Sequence, residues 1–185
     1  MTRTEYRRQA IRGFTIVSTI FACAFLWLAV LSFDPVDWPS PHVWPNPDPS
    51  NNAAGRAGAW VAYHLFVYFG KGAYAAVIGL TSSIVVLARR GYLPNLWQRI
   101  VGTGLLIFVV SVTAHWLSNG NAIAWPEQRG GVLGYSAATW MQKNVNWMML
   151  PILVYCLIVG LLFTAEVFML RLPRLIVRRT ETSRP

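Results

Sequence analysis

Apolar positions in this chain are blocked together rather than spread at one regular period. Four stretches are free or nearly free of charge: Phe14–Phe33, Phe69–Ala88, Ile100–Leu117 and Trp147–Leu170. About twenty apolar residues in helical form cross the ~30 Å hydrocarbon core of a bilayer. The pattern therefore predicts an all-α, polytopic membrane protein with four spans, placed at about 14–33, 60–88, 100–117 and 147–170. The second is the most fully marked. Trp60, Tyr63, Phe66 and Tyr68 crowd its start and Arg89-Arg90 follow its end, as aromatic-belt and positive-inside anchors do. Along it Ala75, Gly79 and Ser83 recur every fourth residue, a small-residue stripe on which another helix can pack closely. Gly102 and Gly104 offer the same at the start of the third span.

Between the spans the pattern changes. Residues 34–56 hold Pro35, Pro39, Pro41, Pro45, Pro47 and Pro49, six of the eleven prolines. Proline fixes φ and lacks a backbone donor, so an extended, partly stiff loop is expected. Asp34, Asp37 and Asp48 in it match no calcium-loop spacing and read as turn or capping residues. The second long loop, 118–146, ends in Leu133, Ala137, Trp140, Met141 and Val145 at helical spacing, with Ser136, Thr139, Gln142 and Lys143 opposite. That predicts an amphipathic helix on the outer face, just before the last span.

The net charge of +9 would suggest nucleic acid in a soluble protein, but its placement points elsewhere. Twelve of the sixteen basic residues fall in the tail 1–13, in 89–99 or in the tail 171–185, all on one side of a four-span chain. The positive-inside rule then puts both termini in the cytoplasm, and no direct nucleic-acid contact is expected. Cys23 and Cys156 lie inside the first and last spans and read as small packing residues. The first span continues past Cys23 and reads as uncleaved.

Catalytic and cofactor motifs are sparse. Gly70-Lys71 is followed by Gly72, and position 65 is leucine, so this is no phosphate loop. No HExxH, GxSxG or zinc-cysteine spacing occurs, and no metal is expected. His64 and His115 sit near the outer ends of the second and third spans. They could ligate haem as a small membrane redox protein would, but read better as hydrogen-bonded interfacial histidines, so no cofactor is expected. A transporter would rest on Lys71 or Glu166, which read as residues near opposite membrane edges.

Several short motifs in order resemble one family. Leu31-Ser32-Phe33-Asp34-Pro35 closes the first span, Asn51-Asn52 precedes Gly55-x-x-Gly58, Phe69-Gly70 follows, and Gly130-Gly131-x-Leu133-Gly134 precedes the last span. Over roughly residues 12–172 this resembles the four-helix membrane domain of the FtsK/SpoIIIE DNA translocases. The resemblance implies a bacterial inner-membrane anchor that self-associates as a homo-oligomer in the lipid bilayer, linked to cell division and chromosome segregation. It implies a location at the division septum with division proteins as partners, and a separate translocase ATPase subunit if the chain is the anchor half of a split system rather than a stand-alone or truncated relative. The family's ATPase residues have no matching positions here, so the chain is expected to be no enzyme of its own. The motif positions carried over are Asp34, Pro35, Gly55, Gly58, Gly70, Gly130, Gly131 and Gly134.

Overall fold

The computed structural model describes residues 3–41, 44–93, 95–118 and 130–164, and no strand occurs among them. Helix α1 runs Arg3–Leu31, α2 Gly55–Phe69, α3 Gly72–Arg90 and α4 Leu96–Leu117. Helix α5 covers Gly131–Asn144, and a short 3-10 turn at Asn146–Met148 leads into α6, Met149–Thr164. Four stretches are long and apolar enough to span a bilayer: Gly13–Leu31, Gly72–Arg89, Leu96–Leu117 and Asn146–Thr164. The fold is thus all-α with four spans. The loop 34–54, α2 and α5 all lie on the face where α1 ends, here the loop face; the opposite one is the amino-terminal face. Glu166, the tail 171–185 and the first half of the second long loop lie outside the described residues.

One element differs from expectation. The helix expected over 60–88 is two helices, broken at Gly70, whose φ of 53° and ψ of −130° suit only glycine. In a continuous helix Phe66 and Tyr74 would be about 12 Å apart in rise. Their rings instead meet edge to face with centroids 5.6 Å apart, because the chain turns between them. Only α3 is left to cross the membrane. Its 18-residue window spans about 27 Å at 1.5 Å per residue, close to the hydrocarbon thickness. Lys71 falls at the turn and is exposed on the loop face, at the head of the span.

The spans form a row, α1–α3–α4–α6, in which each packs chiefly on its neighbour in that order. Since lipid tails are as apolar as leucine, close packing and polar contacts hold membrane helices together. Each crossing shows one of these. Between α1 and α3, Thr81 Oγ1 accepts from Trp27 Nε1 at 2.9 Å and lies 3.3 Å from Cys23 Sγ. Between α3 and α4, Gly79 lies against Thr103, whose Oγ1 would be 2.6 Å from any added Cβ. Between α4 and α6, Gly102 and Gly160 face each other, and a Cβ on Gly102 would stand 2.7 Å from Phe163 Cβ.

Two apolar clusters tie the row to the loop-face helices. Ala29, Val30, Ala62, Phe66 and Val77 join α1, α2 and α3, with the Phe33 and Phe66 rings stacked at 4.4 Å. Val109, Val112, Ala138, Met141, Met149 and Leu153 join α4, α5 and α6. Helix α5 buries Gly134, Ala138 and Met141. Of the expected apolar face, Met141 is buried and Leu133, Ala137 and Val145 are half-buried, whereas Trp140 is exposed, because α5 centres its small residues Gly134 and Ala138 on the packed side.

Replacing Gly79 by leucine should overpack the α3–α4 crossing at a cost of about 1–3 kcal/mol. Thermal unfolding of the detergent-purified protein should show a lowered midpoint for Gly79→Leu and an unchanged one for an exposed change such as Val85→Leu.

Candidate functional site

The family-motif positions gather on the loop face in two knots. The first closes α1. Asp34 and Pro35 stop the helix by placing a turn former and a donor-less residue after Phe33. The Asp34 carboxylate accepts from the Val36 N–H at 2.9 Å and from Asn51 Nδ2 at 2.9 Å. Asp37, only 2% exposed, accepts from Ser50 Oγ at 2.9 Å and from the N–H groups of Asn51 and Asn52 at 2.8 and 2.9 Å. The loop is therefore not extended, as its prolines suggest, but folded back and pinned across its base.

Asn52 connects this knot to two helices. Its Nδ2 donates to the Ala29 and Ser32 carbonyls at 2.9 and 3.2 Å, which a helix C-terminus leaves without partners. Its Oδ1 accepts from the Ala54 N–H at 2.9 Å, just ahead of α2. Gly55 then needs φ +68°, and Gly58 leaves room for the amide, since a Cβ there would sit 2.5 Å from Asn52 Oδ1. Outside the knot, the Arg56 guanidinium lies 5.5 Å over the Trp38 ring.

The second knot surrounds the break between α2 and α3. The turn strips Phe69 O of its helical partner, and Ser111 Oγ of α4 donates to it at 2.7 Å. Four further glycines let backbones converge on this point. Added Cβ atoms on Gly72, Gly130 and Gly134 would all overlap Ser111, the first its hydroxyl and the other two its carbonyl. Gly131, with φ +62°, starts α5 against the break, where a Cβ would be 2.6 Å from Gly70 N and 2.7 Å from Tyr68 C. Every glycine of the sequence motifs thus belongs to one knot or the other. Ser111 is the partner that the sequence does not single out, since no motif adjoins it; Asn52 stands in the motif ahead of Gly55, but its joining of α1 to α2 shows only in the structure.

The remaining positions divide by environment. Ala75 is buried, and Ser83 Oγ turns back to the Gly79 carbonyl at 3.0 Å. Gly102 is occupied by α6, whereas Gly104 is exposed with nothing within 4 Å of an added Cβ. His64 Nδ1 is 2.8 Å from the Trp60 carbonyl, with its ring against Trp60 and Tyr63, while His115 meets Tyr135 of α5 edge to face at 5.3 Å. Chemically the two knots are mechanical devices: they fasten α2 and α5 over the spans with backbone carbonyls and amides that a single side chain each satisfies.

Across residues 8–176 the chain matches the 4TM region of DNA translocase FtsK/SpoIIIE. It belongs to that family. Proteins named DNA translocase FtsK from Pseudomonas syringae and Pseudomonas putida are 32% and 33% identical over 130 residues, each covering 67% of this chain. One from Pseudomonas aeruginosa is 35% identical over 122 residues, 62% of this chain. The chain spans only 15–16% of the length of these FtsK relatives. No solved structure matches it. In the FtsK 4TM region the match covers both knots and all four spans, so the membrane part of the translocase is the part this chain shares.

Adding a methyl group at Gly131 strains a positive φ and drives a Cβ into backbone, at a cost of about 1–3 kcal/mol. Removing the Asn52 side chain leaves buried carbonyls unpaired, about 1–3 kcal/mol again. Both Gly131→Ala and Asn52→Ala should lower the thermal midpoint, while Gly104→Ala should leave it unchanged or raise it, as a helical glycine in open space allows.

Proposed function

We propose that this chain is the membrane anchor and self-association module of an FtsK-type DNA translocation assembly, linked to cell division and chromosome segregation. It sits in the bacterial inner membrane with both termini in the cytoplasm, and gathers at the division septum. These 185 residues hold no nucleotide-binding loop, and the motor partner we propose is a translocase ATPase subunit.

The observation that carries self-association is the open row of spans. A closed four-helix bundle buries one stripe of every helix against the others. Here α1 and α6 stand at opposite ends, and most of their large apolar side chains are exposed, among them Phe14, Val17, Phe21, Val154, Tyr155 and Ile158. Gly104 adds a place in the middle of the row where another copy's helix can come close without displacing anything in this one. Cytoplasmic termini are supported by the arginine-rich tails and the Arg89-Arg90 connection. The pinned proline loop and α5 are the surfaces offered to division proteins outside the cytoplasm.

Self-association is tested by replacing Gly104 with leucine. Native mass spectrometry should show oligomers of the wild-type chain and a shift of Gly104→Leu toward monomer with its thermal midpoint retained; a monomeric wild type would end the reading. A fluorescent fusion should collect at midcell in dividing bacteria, and even staining of the membrane would count against the septal role.

A further inference from the structure

Helix α5 packs on α4 and α6 without sealing the space between them. A groove of about 500 Å³ remains there, within the ~300–1,000 Å³ of small-molecule sites. Phe108 of α4, Ala137, Trp140 and Val145 of α5, and Ile152 of α6 line it, and Ser136 adds a hydroxyl to an otherwise apolar wall. Two of its sides belong to spans: Phe108 lies in the window Leu96–Leu117 and Ile152 in the window Asn146–Thr164. At that depth the surrounding medium is acyl chains rather than water.

The chain's register fixes the level of each end of the groove. Val145 immediately precedes the apolar window that begins at Asn146, so the carboxyl end of α5 stands at the loop-face edge of the hydrocarbon. Exposed Trp147 marks the same edge. Ile152 is six residues into that window, about 9 Å deeper at 1.5 Å per residue. The groove therefore runs from headgroup level into one leaflet. Lys143 stands at its upper rim. It follows Ser136 by seven residues and Trp140 by three, spacings that put the three on one stripe of α5, and it is exposed. Twelve of the sixteen basic residues belong to segments on the amino-terminal face, so a lysine here is no topology signal.

We propose that this groove seats one acyl chain of a membrane glycerophospholipid, with the lipid phosphate at the level of Lys143. The two parts of the ligand contribute differently. Lipid tails are as apolar as the groove, so moving a chain from bilayer to protein gains little hydrophobic energy. What holds it is close fit against Phe108, Ala137 and Ile152, because unfilled space forfeits dispersion contacts. The Lys143 ammonium adds charge complementarity for the phosphate, on a stem long enough to keep its head in the polar layer. An acyl chain is the solvent at this depth, so it reaches the groove with no assembly step. The seat is independent of whether copies of the chain associate.

The full chain in detergent should be given an equimolar amount of phosphatidylglycerol carrying a photoactivatable diazirine in one acyl chain, then illuminated, digested and read by mass spectrometry. Label should fall chiefly on the peptides holding Phe108, residues 136–145 and Ile152. The exposed apolar face of α1, at Phe14, Val17 and Phe21, reports loosely held lipid, and the groove should exceed it about tenfold. Ala137→Phe, which fills the groove, should abolish that excess. Ser136→Trp, at an exposed position on the same wall, should do the same and decides the matter if Ala137→Phe does not fold. Lys143→Gln should lower the groove label about three- to fivefold, as loss of an exposed charge contact allows; an unchanged label would overturn the phosphate contact. Equal labelling of groove and α1 in the wild type, or groove label that survives both filling variants, would overturn the seat itself. So would a photo-crosslinker at position 140 that joins to a peptide of this chain rather than to lipid. If the filling variants turn oligomers into monomers while the wild-type groove takes no label, a second copy occupies it and the proposal fails.

Discussion

One hydrogen bond organises the loop face: Ser111 of α4 to the Phe69 carbonyl at the end of α2. A chain that breaks a helix at a membrane edge exposes backbone groups where water is scarce, and each unmet group is costly. Here the hydroxyl meets the freed carbonyl, and glycines on three segments let α3, α4 and α5 approach it without side chains between them. The consequence is geometric. Helix α2 is released from the span that follows it and can lie over α1, while α5 fills the space against α4.

The Asp37–Asn52 knot does the same work at the other end of the loop face. Its buried carboxylate gathers three donors from one short segment, and the Asn52 amide closes α1 while opening α2. Both knots rely on polar side chains bonding to backbone, a choice that fits a region where apolar contact alone gives little drive for helices to associate. Fixed loop-face helices sit above a row of spans that meet through small residues and polar contacts.

Much of this was legible in the sequence because membrane spans announce themselves by length. The apolar windows Gly13–Leu31 and Leu96–Leu117 answer to the expected first and third spans, and the turn reading of Asp34 matches its bond from the Val36 N–H, whereas Asp37 pins residues 50–52 from across the loop. The break at Gly70 was hidden because α2 is itself apolar and aromatic, so hydropathy runs on across it. The glycines flanking Lys71 were the only local sign, and their meaning depends on Ser111, forty residues away in the chain. Arg99 was hidden for a related reason. It reads as one more arginine of a short connection, yet α4 starts at Leu96 and draws it inside.

The break at Gly70 carries the rest, and a distance measurement addresses it most directly. Spin labels at positions 60 and 85, both exposed, can be introduced after Cys23 and Cys156 are replaced by serine. An unbroken helix would hold those backbone positions about 38 Å apart at 1.5 Å per residue. Pulsed electron-spin resonance in lipid should give a clearly shorter distance, lengthening or broadening when Ser111 is changed to alanine. A narrow distribution centred near the unbroken value would contradict the account.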